Sequence, residues 1–302
     1  MTAEDRTLER YALLCDREMD GAALTAMERA RGWYRTKATW SGKMLEVEAY
    51  PMLPHGQRAA IHKMQGTPEA MKKLNQRNAE RTFRRLAEIN FKDEEDYFFT
   101  GTIEAGEGES LPTLEQVEKL FGNFIKRLNR LRKARGLKNA KYLAVIEGWE
   151  EGSRQIRLHV HALVEGGLDR DTMENLWRQK RAECRRLVHA HLDELCTYLQ
   201  KGPRGRKRWR RSKGNLKGPR ETHADRKMNA RAAWRIAEDV AGRNAALERL
   251  YPGYRVETIN GHDAVEVRSN PYMPGCYIYA RLRKIETVQE RRERNRRWTK
   301  PK

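Results

Sequence analysis

The stretch IRLHVHALVE, residues Ile156–Glu165, decides how this chain is read. In a β-strand successive side chains point to opposite faces, and residues two apart share one. Read that way, His159 and His161 stand side by side on one face, with Leu158, Val160 and Ala162 on the other. Two imidazoles so placed can hold one metal ion; the plain alternative is a pair of histidines on a solvated sheet face. The neighbouring segments weigh between the two.

Just upstream, YLAVI (Tyr142–Ile146) reads as a second strand, and the polar run Gly148–Gln155 reads as the turn of a hairpin. A turn near Ser153 brings Glu147 opposite His159, and cross-strand neighbours lie about 5 Å apart, within reach of a shared ion. Two imidazoles and a carboxylate without a thiolate suit Mg²⁺ or Mn²⁺ better than a structural Zn²⁺. Glu104, Glu165 and His191 compete with Glu147 for the third place, and Glu147 can also be read as an exposed hairpin acid.

Further upstream, YFFTGTI (Tyr97–Ile103) is aromatic and β-branched, as a buried strand should be. Leu114, Val117, Leu120, Phe121, Phe124, Ile125, Leu128 and Leu131 recur at helical spacing after a cap at Thr113, up to Gly136. An earlier helix starts with Thr67 as cap and Pro68 in its first position, and runs to about Ile89. Downstream, Leu168–Arg186 reads as mostly helical with Asp169 near its start, and Leu187–Ala190 as a short strand. A helix carrying Leu192, Leu195, Tyr198 and Leu199 then ends near Gly202-Pro203. The order β-α-β-β-α-β-α is the split-βαβ pattern: an α+β fold with helices mainly on one face of an antiparallel sheet and the other face free for ligand. Three regions follow: a helical N-terminal region over residues 1–66, a central domain over 67–220, and a helix with short strands over 221–302.

The charge balance points to a polyanionic partner: 62 Lys+Arg against 42 Asp+Glu give a net charge of +20. A membrane surface fits less well, because no basic helix carries a clean Trp/Phe/Leu face and no run approaches the ~18 apolar residues of a span. MTAEDRTLER has acids and no apolar core of a signal peptide. Cys15, Cys184, Cys196 and Cys276 form no CxxC pair and read as reduced thiols of a cytoplasmic protein.

Tyr198 and Lys201 are spaced i,i+3 and share one helix face. A tyrosine there is ordinarily a core aromatic with its hydroxyl at the surface. Beside a divalent ion and a lysine, however, a phenol can attack a phosphodiester and form a covalent phosphotyrosine. The following run KGPRGRKRWRRSKGNLKGPR (Lys201–Arg220) has no acid, and its Pro and Gly residues predict an irregular arm. Arg204, Arg206, Lys207, Arg208, Arg210, Arg211, Lys213 and Lys217 would hold a strand by its phosphates, with Trp209 stacking on a base.

With those features together, the chain resembles the rolling-circle replication initiators of the HUH endonuclease superfamily, most closely the group of filamentous-phage initiators and related plasmid or prophage proteins. YFFTGTI resembles the family's first motif, a strand ending in Thr-x-Thr; LHVHAL resembles its His-hydrophobic-His motif; YLQK (Tyr198–Lys201) resembles its Tyr-x-x-Lys motif. NQRNAERTFRRLAEINFKDEEDYFFTGT and RRSKGNLKGP resemble the flanking segments, so the likeness spans Thr67–Pro219. The resemblance implies a ferredoxin- or RRM-like HUH fold and a Mg²⁺ or Mn²⁺ ion at His159 and His161, with Glu147 in the place of the acidic ligand. It implies Tyr198 as nucleophile with Lys201 in support, giving a 5′-phosphotyrosyl intermediate and a free 3′-OH. Its implied partners are single-stranded DNA at a replication origin and a host helicase or other replication proteins. One departure is plain: Glu194 and Gly202 stand four residues either side of Tyr198, so a single-tyrosine enzyme is expected. A relaxase or single-tyrosine transposase is the rival within the superfamily, and a non-catalytic nucleic-acid-binding protein the rival outside it.

Overall fold

The computed structural model describes residues 3–15, 17–18, 32–103, 112–149, 155–179, 181–188, 192, 195–196, 209–259, 261–270, 273–289 and 292. The fold is α+β with antiparallel sheets. Two compact units divide the chain: residues 1–77 together with 219–302, and residues 78–218 inserted between them. Among the described residues no helix is long and apolar enough to cross a membrane.

The first unit begins with α1 (Ala3–Leu14), β1 (Arg17–Glu18), β2 (Trp33–Ser41), β3 (Met44–Pro51) and α2 (His55–Lys63). The region expected to be helical over residues 1–66 therefore holds three strands among its described residues. β2 and β3 form a hairpin whose turn places Gly42 at φ +61°, the left-handed conformation glycine adopts most readily. The Ala, Glu and Lys content of KATWSGKMLEVEAY suggests helix, but its alternation has period two, and pairing decides. α3 (Pro68–Asn90) starts in this unit and ends in the second; its Ala70 N–H donates to Thr67 Oγ1 at 3.1 Å, closing the expected cap.

The second unit continues with β4 (Tyr97–Thr102), α4 (Leu114–Ala134), β5 (Tyr142–Trp149), β6 (Gln155–Val164), α5 (Arg170–Asn175), β7 (Arg181–Arg186) and β8 (Arg210–Arg211). They form one five-stranded sheet in the order β7-β4-β6-β5-β8, every neighbouring pair antiparallel. Thr113 closes a full capping box with Gln116 at the start of α4. Along α4, Val117, Phe121, Phe124, Ile125 and Leu128 are buried against Phe99, Ala144, Ile146, Val160, Ala162 and Val164 of the sheet. Each such side chain contributes about 1.5–3 kcal/mol on burial, which makes this face the main core of the unit.

Two expectations fail here. The helix expected over Leu168–Arg186 is only the short α5, capped by Asp169 accepting from Thr172 N–H; Arg181–Arg186 is a strand, β7, and Leu187 and Val188, the described part of the strand expected at Leu187–Ala190, follow it outside any strand. RAECRR resembles a solvated helix in composition, yet as an edge strand it points Cys184 inward and its charges outward. The second face of the sheet is also not bare. Phe83, Leu86 and Ala87 of α3, with Phe91, Leu187, Leu192 and Cys196, cover Leu143, Val145 and Leu163.

The chain returns to the first unit with β9 (Arg220–Asn229), α6 (Ala230–Glu238), α7 (Arg243–Leu250), β10 (Tyr254–Val256), β11 (Thr258–Ile259), β12 (His262–Asp263), β13 (Val265–Ser269) and β14 (Tyr277–Lys284). The first of these is a strand where the helix expected over 221–302 was to begin. The large sheet runs β1-β13-β14-β3-β2-β9, with β10 paired to β14, so N- and C-terminal strands share one sheet. α6 and α7 pack on one of its faces through Ala233, Ile236 and Leu247. α1, α2 and the start of α3 pack on the other, where the buried carboxylates of Glu46 and Glu48 accept hydrogen bonds from Tyr279 and Tyr277.

Candidate metal and nucleic-acid site

Register builds the site. β6 lies between β4 and β5, with His161 opposite Thr100 and Val145, and His159 opposite Thr102 and Glu147. The hairpin thus pairs Glu147 with His159. On this face each strand passes from apolar to polar in the same direction: Leu143 and Val145 give way to Glu147, and Leu163 gives way to His161 and His159. The histidines therefore stand where the hydrophobic cover of α3 ends.

Their geometry is close but open. The two imidazole centroids are 6.1 Å apart with planes at 43°. His161 Nε2 lies 3.5 Å from Glu147 Oε2, and His161 Nδ1 lies 3.1 Å from Thr100 Oγ1. The Phe98 ring stacks on the His161 ring at 5.6 Å and 8°. Burial, reinforced by the neighbouring His159, pushes the pKa of His161 down to about 4, so the ring is neutral near pH 7. Neutral imidazole is the form that ligates a metal. Two ligand atoms about 2.1 Å from a common ion sit about 3.0 Å apart in an octahedron and about 3.4 Å apart in a tetrahedron. The 3.5 Å between His161 Nε2 and Glu147 Oε2 approaches that span, so this one pair is spaced as two ligands of a divalent ion would be. Among the described residues, no group of three or more His, Cys, Asp or Glu side chains is placed to hold a metal ion.

The other expected residues sort differently. Glu165 sits at the far end of β6, where it meets Lys141 Nζ at 3.0 Å and Arg132 Nη2 at 3.2 Å, and this removes it as a third ligand. Glu104, His191, Tyr198, Lys201, Arg204, Arg206, Lys207 and Arg208 lie outside the described residues, as does the side chain of Leu158.

From Trp209 onward the irregular arm is corrected. Arg210 and Arg211 pair with Ala144 and Leu143 as β8, and Ser212 N–H donates to Tyr142 O at 3.0 Å. Asn90 then exchanges two hydrogen bonds with the backbone of Lys217, at 2.7 and 2.9 Å. Trp209, expected to stack on a base, meets Phe83 edge-on with centroids 5.7 Å apart and joins the cluster under α3. Arg210 points to the opposite side of the sheet and pairs with Glu118 of α4. Arg211, Lys213 and Lys217 remain exposed.

Sequence reading missed Thr100 and Phe98 as neighbours of His161. The alternation of YFFTGT puts both on one face of the strand, but only the β4–β6 register shows which histidine they meet. No protein-family model, curated protein or solved structure matches the chain.

Proposed function

We propose that this chain is a metal-dependent enzyme that nicks and rejoins single-stranded DNA at an origin to start rolling-circle replication. The observation that carries the reading is the pairing of Glu147 with His159 on adjacent strands, with His161 Nε2 3.5 Å from Glu147 Oε2. The strand order β7-β4-β6-β5 supports it, since it is the order of the split-βαβ sheet on which HUH nucleases are built. So does the net charge of +20.

His159, His161 and Glu147 would hold the ion, Mg²⁺ or Mn²⁺. Bound there, the ion supplies polarisation of a non-bridging phosphate oxygen. The chain's own residues do the rest. Tyr198 Oη attacks phosphorus, the new O–P bond forms as the bond to the 3′ oxygen breaks, and the strand is left with a 5′-phosphotyrosine and a free 3′-OH. Lys201, one turn beyond Tyr198, assists ionisation of the phenol or balances charge on the phosphate. Arg211, Lys213 and Lys217, with the basic residues from Arg204 to Arg208, hold flanking phosphates.

The open geometry of the donor set favours a second reading, a nucleic-acid-binding protein without catalysis. One experiment separates the two. Incubation with a single-stranded origin oligonucleotide and Mn²⁺ should give an SDS-resistant adduct that maps to Tyr198 and is absent from Tyr198→Phe. Binding without any adduct would leave the non-catalytic reading.

A further inference from the structure

We infer that Thr100 is a positioning residue: its hydroxyl sets the ring of His161 so that Nε2 faces Glu147. The inference rests on the metal-binding reading above. Thr100 stands directly across from His161 in the β4–β6 register, and its Oγ1 lies 3.1 Å from His161 Nδ1. Phe98, two residues back on the same face, stacks on the ring within 8° of parallel. Stacking fixes the ring plane but does not distinguish the two orientations related by a half-turn about Cβ–Cγ, which keep the plane and exchange the edges of the ring. The hydroxyl supplies what stacking cannot: it marks one nitrogen as the one turned away from Glu147.

A hydroxyl has a particular advantage at this place. It can donate to Nδ1 or accept from it, because the O–H rotates to suit. With a proton on Nε2, the hydroxyl donates to the Nδ1 lone pair. When an ion replaces that proton, the proton of the neutral ring sits on Nδ1 and the same oxygen accepts it. Thr100 can therefore hold one ring orientation through both forms, which a carbonyl oxygen, an acceptor only, cannot do. Outer partners of ligating histidines characteristically contribute about 10–100-fold in metal affinity.

The test uses the full chain, without DNA. Mn²⁺ binding is measured by electron paramagnetic resonance for wild type, Thr100→Val, Thr100→Ala and Thr100→Ser. Val keeps the shape and loses the hydroxyl, and Ala guards against a packing effect peculiar to Val. Ser keeps the hydroxyl. Both Val and Ala should bind Mn²⁺ about 10–100-fold more weakly, and Ser should restore affinity to within about threefold. In parallel, ring ¹⁵N shifts of His161 should show one dominant tautomer in wild type and Ser, and a mixture in Val. Wild-type binding matched by Val and Ala, with unchanged ¹⁵N shifts, overturns the role of Thr100 and leaves the metal reading standing. Failure of wild type itself to bind Mn²⁺ overturns the metal reading and the inference with it.

Discussion

Replacing Gly101 by alanine sets two effects of opposite sign against each other. Glycine in a strand interior is entropically costly, so alanine alone should stabilise by about 0.5–1 kcal/mol. Packing opposes this. A Cβ at residue 101 would lie 2.7 Å from Trp177 Cε2, 2.8 Å from Trp177 Cζ2 and 2.9 Å from Phe99 Cε1. Carbon atoms in contact prefer about 3.5–4.0 Å, so the indole would have to retreat by most of an ångström. It has no free direction: Trp177 is fully buried, its Nε1–H donates to Thr102 O at 3.1 Å, and it meets Phe99 and Phe124 edge-on. Overpacking of this kind costs about 1–3 kcal/mol, and a lost hydrogen bond about 1 kcal/mol more. The net expectation is destabilisation by about 2 kcal/mol, or roughly 6 °C in Tm for a unit of this size. Calorimetry gives the Tm, and hydrogen exchange of the Tyr97–Thr102 amides reads the unit that contains β4 even if the two units melt separately. Trp177→Phe removes the two closest clashing atoms, those of the indole, so the double variant should be more stable than additivity predicts by over 0.5 kcal/mol. A Gly101→Ala protein with unchanged or raised Tm, or a strictly additive double variant, would refute the packing argument.

Three further outcomes are expected. Lys201→Ala should lose little DNA affinity but much of its single-turnover cleavage rate; a wild-type rate would place Lys201 among the merely basic residues. Neutralising Arg211, Lys213 and Lys217 together should flatten the slope of log K against log salt by about two to three units. Arg210→Gln should leave that slope nearly unchanged, because Arg210 is paired with Glu118, and an equal drop for both sets would contradict the geometry. Burial raises the Cys184 thiol to about 12 and the Cys276 thiol to about 11, and all four cysteines are buried and outside any disulfide. Ellman's reagent at pH 8 should therefore find no reactive thiol in the native protein and four in urea; the native signal should appear only on alkaline unfolding.

The central hairpin was legible in the sequence because it is local. LHVHAL alternates cleanly, YLAVI lies close before it in the sequence, and a two-residue period leaves only one face for both histidines. Helix α4 was legible for the same reason, since its apolar stripe and its Thr113 cap lie within the segment itself. Long-range pairing was not. β9 contains many helix-favouring residues and is a strand through β2, far away in the chain; β3 likewise pairs with β14 across more than two hundred residues. The charged edge strand β7 lacked an apolar face to announce it. At the site, the sequence placed Glu147 opposite His159, whereas Thr100 needed the β4–β6 register, and Arg210 needed the sidedness of β8.

The insertion of residues 78–218 within the first unit also has a consequence for the ribosome. The β2–β3 hairpin is complete at residue 51, but its flanking strands β9 and β14 end only at residues 229 and 284. At about 5–20 residues per second, both edges of that hairpin stay unpaired for roughly ten seconds or longer while the inserted unit is made. The inserted unit is continuous and can close first. Slowing translation over residues 78–218 should therefore raise aggregation through the exposed β2 and β3 edges. A chain cut short after residue 218 should present the same two open edges permanently.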